Sequence, residues 1–400
     1  MLVSQPASCP SSHNAIAARD ENPGDADISG LLGRLASVLD PRSPHGKQYL
    51  LEFILAVCVV ATLARARNYQ EIARHAADMP QPLLEKLGAK WSWFRMCYRY
   101  PSKSAIRNVL TRIDAAALDI ITCTWITSQA RKDEKGNWII ALDGKVLRGA
   151  WTDENDKVTL FSAMLHGEAV TVAQVRVPDG TNEITQADAL MDAIDIPEGG
   201  SVLVTLDAAH TQLETAEAIG ARSGWDYMMT VKGNQPSLQR KVFDEILPLL
   251  QKPPFHVMEE HSRGRIRRWS CWITGADGID FPYARQAACI RRDVFEISGS
   301  RISKEYAFIL TSGTVGKMTA ADVSLHVRGH WGIENKNHYI RDTVYREDHC
   351  QAWTGNGPHA LASLRNLAIG LFRLKAVGSI KETTEWVCRD RMRALVFMTT

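Results

Sequence analysis

The spacing of apolar residues changes twice along the chain, and each change marks a boundary. From 28 to 130 apolar positions recur three and four apart, in ISGLLGRLASVL (28–39), YLLEFILAVCVVATLARA (49–66), NYQEIARHAADM (68–79) and SAIRNVLTRIDAAALDIIT (104–122). That is the spacing of helices that bury one side, and no alternation interrupts it, so an all-helical N-terminal domain is expected. From 137 the texture is different: WIIALDGKVLRGA, KVTLFSAMLH and AVTVAQVRV read as three successive strands. A helix (184–196), a strand (201–208), a helix (212–224) and a strand (226–233) follow, an order that specifies a mixed α/β domain over 137–380. Between about 253 and 312 the runs turn strand-like again, as HVMEEH, RIRRWSCWIT, QAACIRRDVFEIS and EYAFILTS, and read as a β region inserted in that domain. Residues 1–27 lack periodicity and are rich in Ser, Pro, Asn and Asp, so disorder is expected there. The tail 381–400 is helical in pattern.

Composition changes this picture little. Four hundred residues with 45% hydrophobic and 23% charged side chains describe an ordinary soluble chain of two or three domains. A net charge of +2 excludes any argument from overall charge, so local patches must carry it. Eight cysteines without a CxxC pair suggest a reduced, cytoplasmic protein in which thiols serve as small apolar groups. No basic segment followed by an apolar run opens the chain, so no signal peptide is read. The most apolar stretch, 53–64, is about half a membrane span and fits a buried helix, so no membrane partner is expected.

The chemistry concentrates in HVRGHWGIENKNHYIRDTVYRED (326–348). Steps of four from His326 reach His330, Glu334 and His338, and Arg341 lies three further on, all on one face of a regular helix. Trp331 and Asn335 flank the acid. Gly329 and Gly332 weaken the helix and hint at close backbone packing. Two aspartates offer themselves as partners for Glu334: Asp143, ending the apolar run in ALDGK, and Asp207, ending the one in VTLDAAH. Carboxylates emerging at strand ends suit magnesium, a hard cation that prefers oxygen ligands. In the β region Arg263, Arg265, Arg267 and Arg268 lie within six residues and adjoin Trp269 and Trp272, a mixture suited to phosphate contact and base stacking. The segment 104–110 is a further candidate to meet DNA.

On these residues the sequence resembles a DDE transposase of bacterial insertion sequences, in the H-repeat-associated branch. The matching stretches are DGKVLRGA, NEITQADALMD, LDAAHTQ, MTVKGNQPSL, RGHWGIEN, HYIRDTVYRED and LRNLAIGLF, spread over 41–373. The resemblance implies a ribonuclease-H-like catalytic domain and a metal-binding triad of Asp143, Asp207 and Glu334. It implies two magnesium ions, with manganese as a substitute, flanking a scissile phosphate during strand cleavage and strand transfer. It places His210, Lys232, Asn234 and Gln235 along the DNA path, and implies DNA partners, namely terminal repeats and target, a homodimer in the synaptic complex and a nucleoid-associated location. Related transposases set a Tyr, an Arg and a Lys or Arg around the Glu; here those places hold Val327, His330 and Arg341, so His330 departs from the pattern while Arg341 keeps its charge. His330, Trp331, Asn335, His338 and Arg341 form the expected DNA-contacting set near Glu334.

Three rival readings stand beside this one. A domesticated copy would bind DNA without cutting it, and a magnesium-dependent nuclease would cut without joining. A zinc protein would use His326, His330, His338 and Glu334, but no HExxH occurs and both aspartates would be left unexplained.

Overall fold

The N-terminal apolar stripes fold as α1 (Ser29–Ala36), α2 (Leu51–Leu63), α3 (Tyr69–Ala77), α4 (Gln81–Lys86), α5 (Lys103–Leu110) and α6 (Ala115–Thr127). Asn68, Ser102 and Asp114 cap α3, α5 and α6 by accepting backbone N–H groups with their side chains. Helix α2, apolar all round, buries every residue but Glu52. The all-helical expectation needs one correction: a small hairpin, β1 (Trp91–Ser92) and β2 (Cys97–Tyr98), stands between α4 and α5. Two-residue strands are too short to leave an alternating pattern. The computed structural model describes residues 26–45, 47–151, 157–197 and 199–399. All but the last two positions of the expected disordered segment lie outside these residues.

The α/β part follows as β3 (Trp138–Trp151), β4 (Lys157–Leu165), β5 (Thr171–Val177), α7 (Ala187–Asp192), β6 (Val202–Leu206), α8 (Leu213–Gly220), β7 (Trp225–Val231) and α9 (Pro236–Ile246). Next come β8 (His256–Ser262), β9 (Arg265–Gly275), β10 (Gln286–Glu296) and β11 (Arg301–Thr311). The chain closes with α10 (Ala320–His330), α11 (Tyr339–Thr343), α12 (Gly357–Leu374) and α13 (Ile380–Arg389). All strands from β3 on share one nine-stranded sheet, ordered β5-β4-β3-β6-β7-β11-β10-β9-β8. β3, β4 and β5 pair antiparallel, while β6 and β7 run parallel to β3. The β region is therefore no separate body: β11 pairs with β7 and carries the same sheet outward.

Alternation divides the core. Ile140, Val204, Met229 and Leu310 join a large cluster shared with α1–α6, α12 and the C-terminal segment. Their neighbours Ile139, Leu203, Met228 and Ile309 pack on the opposite face with Ala320 and Val323 of α10. Helices 29–127 thus share a core with the sheet. The tail packs into it as well, Phe397 meeting Phe372 edge-on with ring centroids 4.8 Å apart.

Candidate active site

Strand β3 does not end at Asp143, as the sequence suggested, but runs on to Trp151. What ends nearby is its parallel pairing with β6, whose last partners are Ala141 and Thr205. Asp143 stays paired with Ser162 of β4, just past the edge of the parallel ladder, where a side chain has open space on one side. Asp207 follows the last residue of β6, and its Oδ1 accepts the backbone N–H groups of Ala209 (3.0 Å) and His210 (3.2 Å). The turn is fastened from the loop after β7: Asn234 Nδ2 donates to Ala208 O (2.7 Å), and Gln235 Nε2 to Thr211 O (2.7 Å).

The third acid sits on an irregular helix. α10 stops at His330, Trp331 is a turn, and Ile333–His338 wind as one π-helical stretch before α11. The extra residue of a π turn rotates the residues beyond it by roughly 100° relative to an α-helix. The single face expected for His326, His330, Glu334, His338 and Arg341 is therefore broken: Glu334 is exposed, and the other four are buried. Ile333 anchors the stretch against Ala141, Met164 and Ala169. Gly329 is required by packing, since a Cβ there would strike the His166 ring.

Burial, then the carboxylates of Glu334 and Asp207, push the Asp143 carboxyl up to about 7. Asp143 thus feels acids 64 and 191 positions away in the sequence. The residues fit a cation: an excess of negative charge surrounds a half-buried carboxyl, and the Gly144 N–H at 3.0 Å is its one backbone donor. Among the described residues no three His, Cys, Asp or Glu side chains stand close enough to hold a metal ion as they are. Glu183, which sequence reasoning passed over inside NEITQ, also raises Asp143. Its carboxylate occupies the space a Cβ on Gly144 would need, and lies 3.8 Å from His210 Nε2. His210 is buried, stacked on Phe161 at 4.8 Å, with Nδ1 unpartnered.

Several residues expected on the DNA have other occupations. Arg341 is fully buried; its Nε donates to Glu347 (2.8 Å), which also receives Arg365 (2.7 Å). Burial would raise Glu347, but Arg341 and Arg365 overcome it and hold the carboxyl at about 2. Arg341 is thus a structural cation and not a phosphate contact. His330 and His338 are held by burial at about 4 and about 3, so both are neutral near pH 7. Thr205 Oγ1 is shared between His330 Nδ1 (3.0 Å) and His166 Nε2 (2.9 Å), while His338 Nδ1 faces Asp143 at 3.5 Å. Asn234 and Gln235 hold the Asp207 turn, whereas Lys232, Trp331 and Asn335 are exposed. On the β8–β9 hairpin Arg263 and Arg265 are exposed, but Arg268 pairs with Glu259 (3.1 Å) and Arg267 faces Glu260 (3.8 Å). Trp269 and Trp272 are buried, under the guanidinium groups of Arg328 and Arg291, and cannot stack on bases. Lys145 of DGK was also overlooked; its Nζ donates to both oxygens of Asp342 at 2.7 Å, tying β3 to α11.

Residues 134–371, more than half of the chain, match the family described as Transposase DDE domain. The chain belongs to that family. Ahead of the DDE domain, residues 32–126 match a second family, described as DDE_Tnp_1-associated. Among relatives of this DDE chain, YbfL of Escherichia coli (strain K12) is 26% identical over 86% of this chain and 90% of its own length. YhhI, an H repeat-associated candidate transposase of the same strain, is 25% identical over the same shares. YncI, a candidate transposase of Escherichia coli O157:H7, is 27% identical over 86% of this chain and 88% of its own. A piggyBac transposase synaptic complex with hairpin DNA aligns with 92% of this chain and 78% of that one, at TM-score 0.39 and 10% identity. Among the described residues no helix is long and apolar enough to cross a membrane.

Proposed function

We propose that this DDE family member cuts DNA at the ends of its own element and joins those ends to target DNA, with Asp143, Asp207 and Glu334 as the catalytic carboxylates. The observation that carries the reading is the raised carboxyl of Asp143, coupled to Glu334 and Asp207 from distant parts of the sequence. The strand order β5-β4-β3-β6-β7 supports a ribonuclease-H-like core for this domain.

A pair of magnesium ions, or manganese in their place, held by these three acids would neutralise charge on the scissile phosphate and sharpen an attacking hydroxyl. The remaining work falls to the chain itself. The turn stapled by Asn234 and Gln235 fixes Asp207, and the π stretch turns Glu334 outward. His338 faces Asp143 without adding charge, and Glu183 and His210 line the opposite side of β3. In cleavage, a water oxygen bonds to phosphorus, the P–O3′ bond breaks, and the departing 3′ oxygen takes up a proton. In strand transfer the freed 3′-hydroxyl makes the same in-line attack on target DNA, so no covalent protein intermediate is needed. The DNA partner, and a homodimer that holds two ends together, belong to the same proposal.

The test is cleavage and joining on DNA carrying the element's ends with magnesium, comparing the wild type with Asp143→Asn, Asp207→Asn and Glu334→Gln. The expected result is that the wild type cuts and joins, while each variant binds DNA and does neither. Activity retained by Glu334→Gln would remove the π stretch from the site. Cutting without joining would leave a nuclease, and binding without cutting a DNA-binding relic.

A further inference from the structure

A pocket of about 510 Å³ opens where the loop before α2 meets β2 and α5. Its lining holds Arg42, Lys47, Arg95, Arg99 and Arg112 and no acidic side chain. Asp40, outside the lining, pairs with Arg42 (2.8 Å) and Lys47 (3.0 Å), which leaves a clear surplus of positive charge. Lys103 and Arg107 are also exposed on α5, outside the pocket lining, and Arg107 donates to Thr354.

Beside this pocket the β1–β2 hairpin presents apolar side chains to solvent: Trp93 is 81% exposed, Phe94 96% and Met96 66%. Such side chains are rarely left bare together unless a partner covers them. The tip stands on a braced base, so it is preorganised. Trp91 packs edge-on against Trp93 (6.4 Å) and Tyr98 (5.0 Å), and the Tyr98 backbone N–H donates to Gln81. Tyr49 OH donates to Tyr100 O (2.7 Å), and Arg99 to Gln48 Oε1 (3.1 Å).

We infer that the hairpin and pocket form a second DNA site, where the pocket takes backbone phosphates and Trp93 with Phe94 stacks on an unpaired base. Nucleic acid offers closely spaced anions and flat apolar faces side by side, which is the chemistry this surface complements. A second copy of the chain would have to bring carboxylates to the same place. The inference rests on the transposase reading and adds where an opened DNA end is held.

The experiment is fluorescence anisotropy with the intact protein on two dye-labelled probes: the element's end as a blunt duplex, and the same duplex with a short single-stranded overhang. The Trp93→Ala/Phe94→Ala variant is expected to lose about tenfold or more in affinity for the overhang probe and little for the blunt one. Arg95→Gln/Arg112→Gln is expected to weaken both and to lower the slope of log affinity against log salt by about 2. Circular dichroism checks that both variants fold. Overhang binding unchanged in the aromatic variant overturns the inference while leaving the transposase reading in place. So does a smaller species in sedimentation with DNA affinity unchanged, which would make the face a contact between copies. Failure of the wild type to bind or cut either probe would remove both.

Discussion

Asp143 has an unusual cost that pH can expose. Its carboxyl titrates at about 7 in the fold against 3.8 ordinarily, chiefly through burial and then Glu334 and Asp207. Folding therefore takes up a proton between those values: this group's contribution to stability is full below about pH 4 and is lost as pH rises through 7. Asp143→Asn removes the penalty. In EDTA it is expected to raise Tm, by the equivalent of a few kcal/mol at about pH 8, by less at about pH 5, and not at all near pH 4. Magnesium is expected to raise the wild-type Tm at about pH 8 but not that of the variant. Scanning fluorimetry in both buffers checks this, and equal shifts at every pH would refute it. Asp143 and Asp207 could be picked out in the sequence because each ends an apolar run, and Glu334 because polar side chains recur around it at helical spacing. Glu183 could not, since a short 3-10 turn has no periodicity to depart from. The burial of Arg341 was equally invisible, because its partner Glu347 and the second cation on that carboxylate, Arg365, lie 6 and 24 positions away and only the fold joins them.

The π stretch is the element on which the site turns. Counting by fours predicted one polar face, and a single extra residue in the winding dissolved it, a change that leaves no trace in composition. What holds the stretch is buried: Asn337 Nδ2 donates to Thr171 Oγ1 (2.8 Å) and Asn366 Oδ1 (3.3 Å). Asn366 in turn donates to Gln174 Oε1 (2.9 Å), and Gln174 reaches Asp119 (3.1 Å), which also meets His359. Asn337→Ala frees one buried hydroxyl and one amide oxygen, at a cost of about 1–3 kcal/mol. It also loosens the turn that aims Glu334. The expected result is strand cleavage down about tenfold or more at unchanged DNA affinity, with Tm lowered by a few degrees. A Tm loss with cleavage intact would show that the network braces the fold and not the acid. The β strands were the easiest elements to read, because alternation marks them directly; their joining into one sheet was not, since pairing between β7 and β11 depends on contacts across 77 to 83 positions.

At the scale of the whole molecule the sequence boundary near 130 is a change of texture without a change of core. Leu31, Ile54 and Ile106 belong to the same cluster as Ile140, Val204 and Phe372. A fragment covering 28–130 is therefore expected to lack a cooperative melting transition, and one covering 137–399 to expose apolar surface and bind a hydrophobic dye. Independent, sharp unfolding of either piece would restore the two-domain division. Sequence periodicity reports which side of an element is apolar; it does not report which neighbour covers it.

The sheet has a mechanical side as well. From β6 through β7, β11, β10 and β9 to β8 each strand is hydrogen-bonded to the next, so the exposed tip at Arg263 and Arg265 is the far corner of one stiff plate. A load applied at that corner must bend five ladders or carry the Asp207 turn along with it. The β1–β2 hairpin has no such linkage: its two strands pair only with each other, and its base is held to α4 by hydrogen bonds between Tyr98 and Gln81, so it can yield without disturbing the acids.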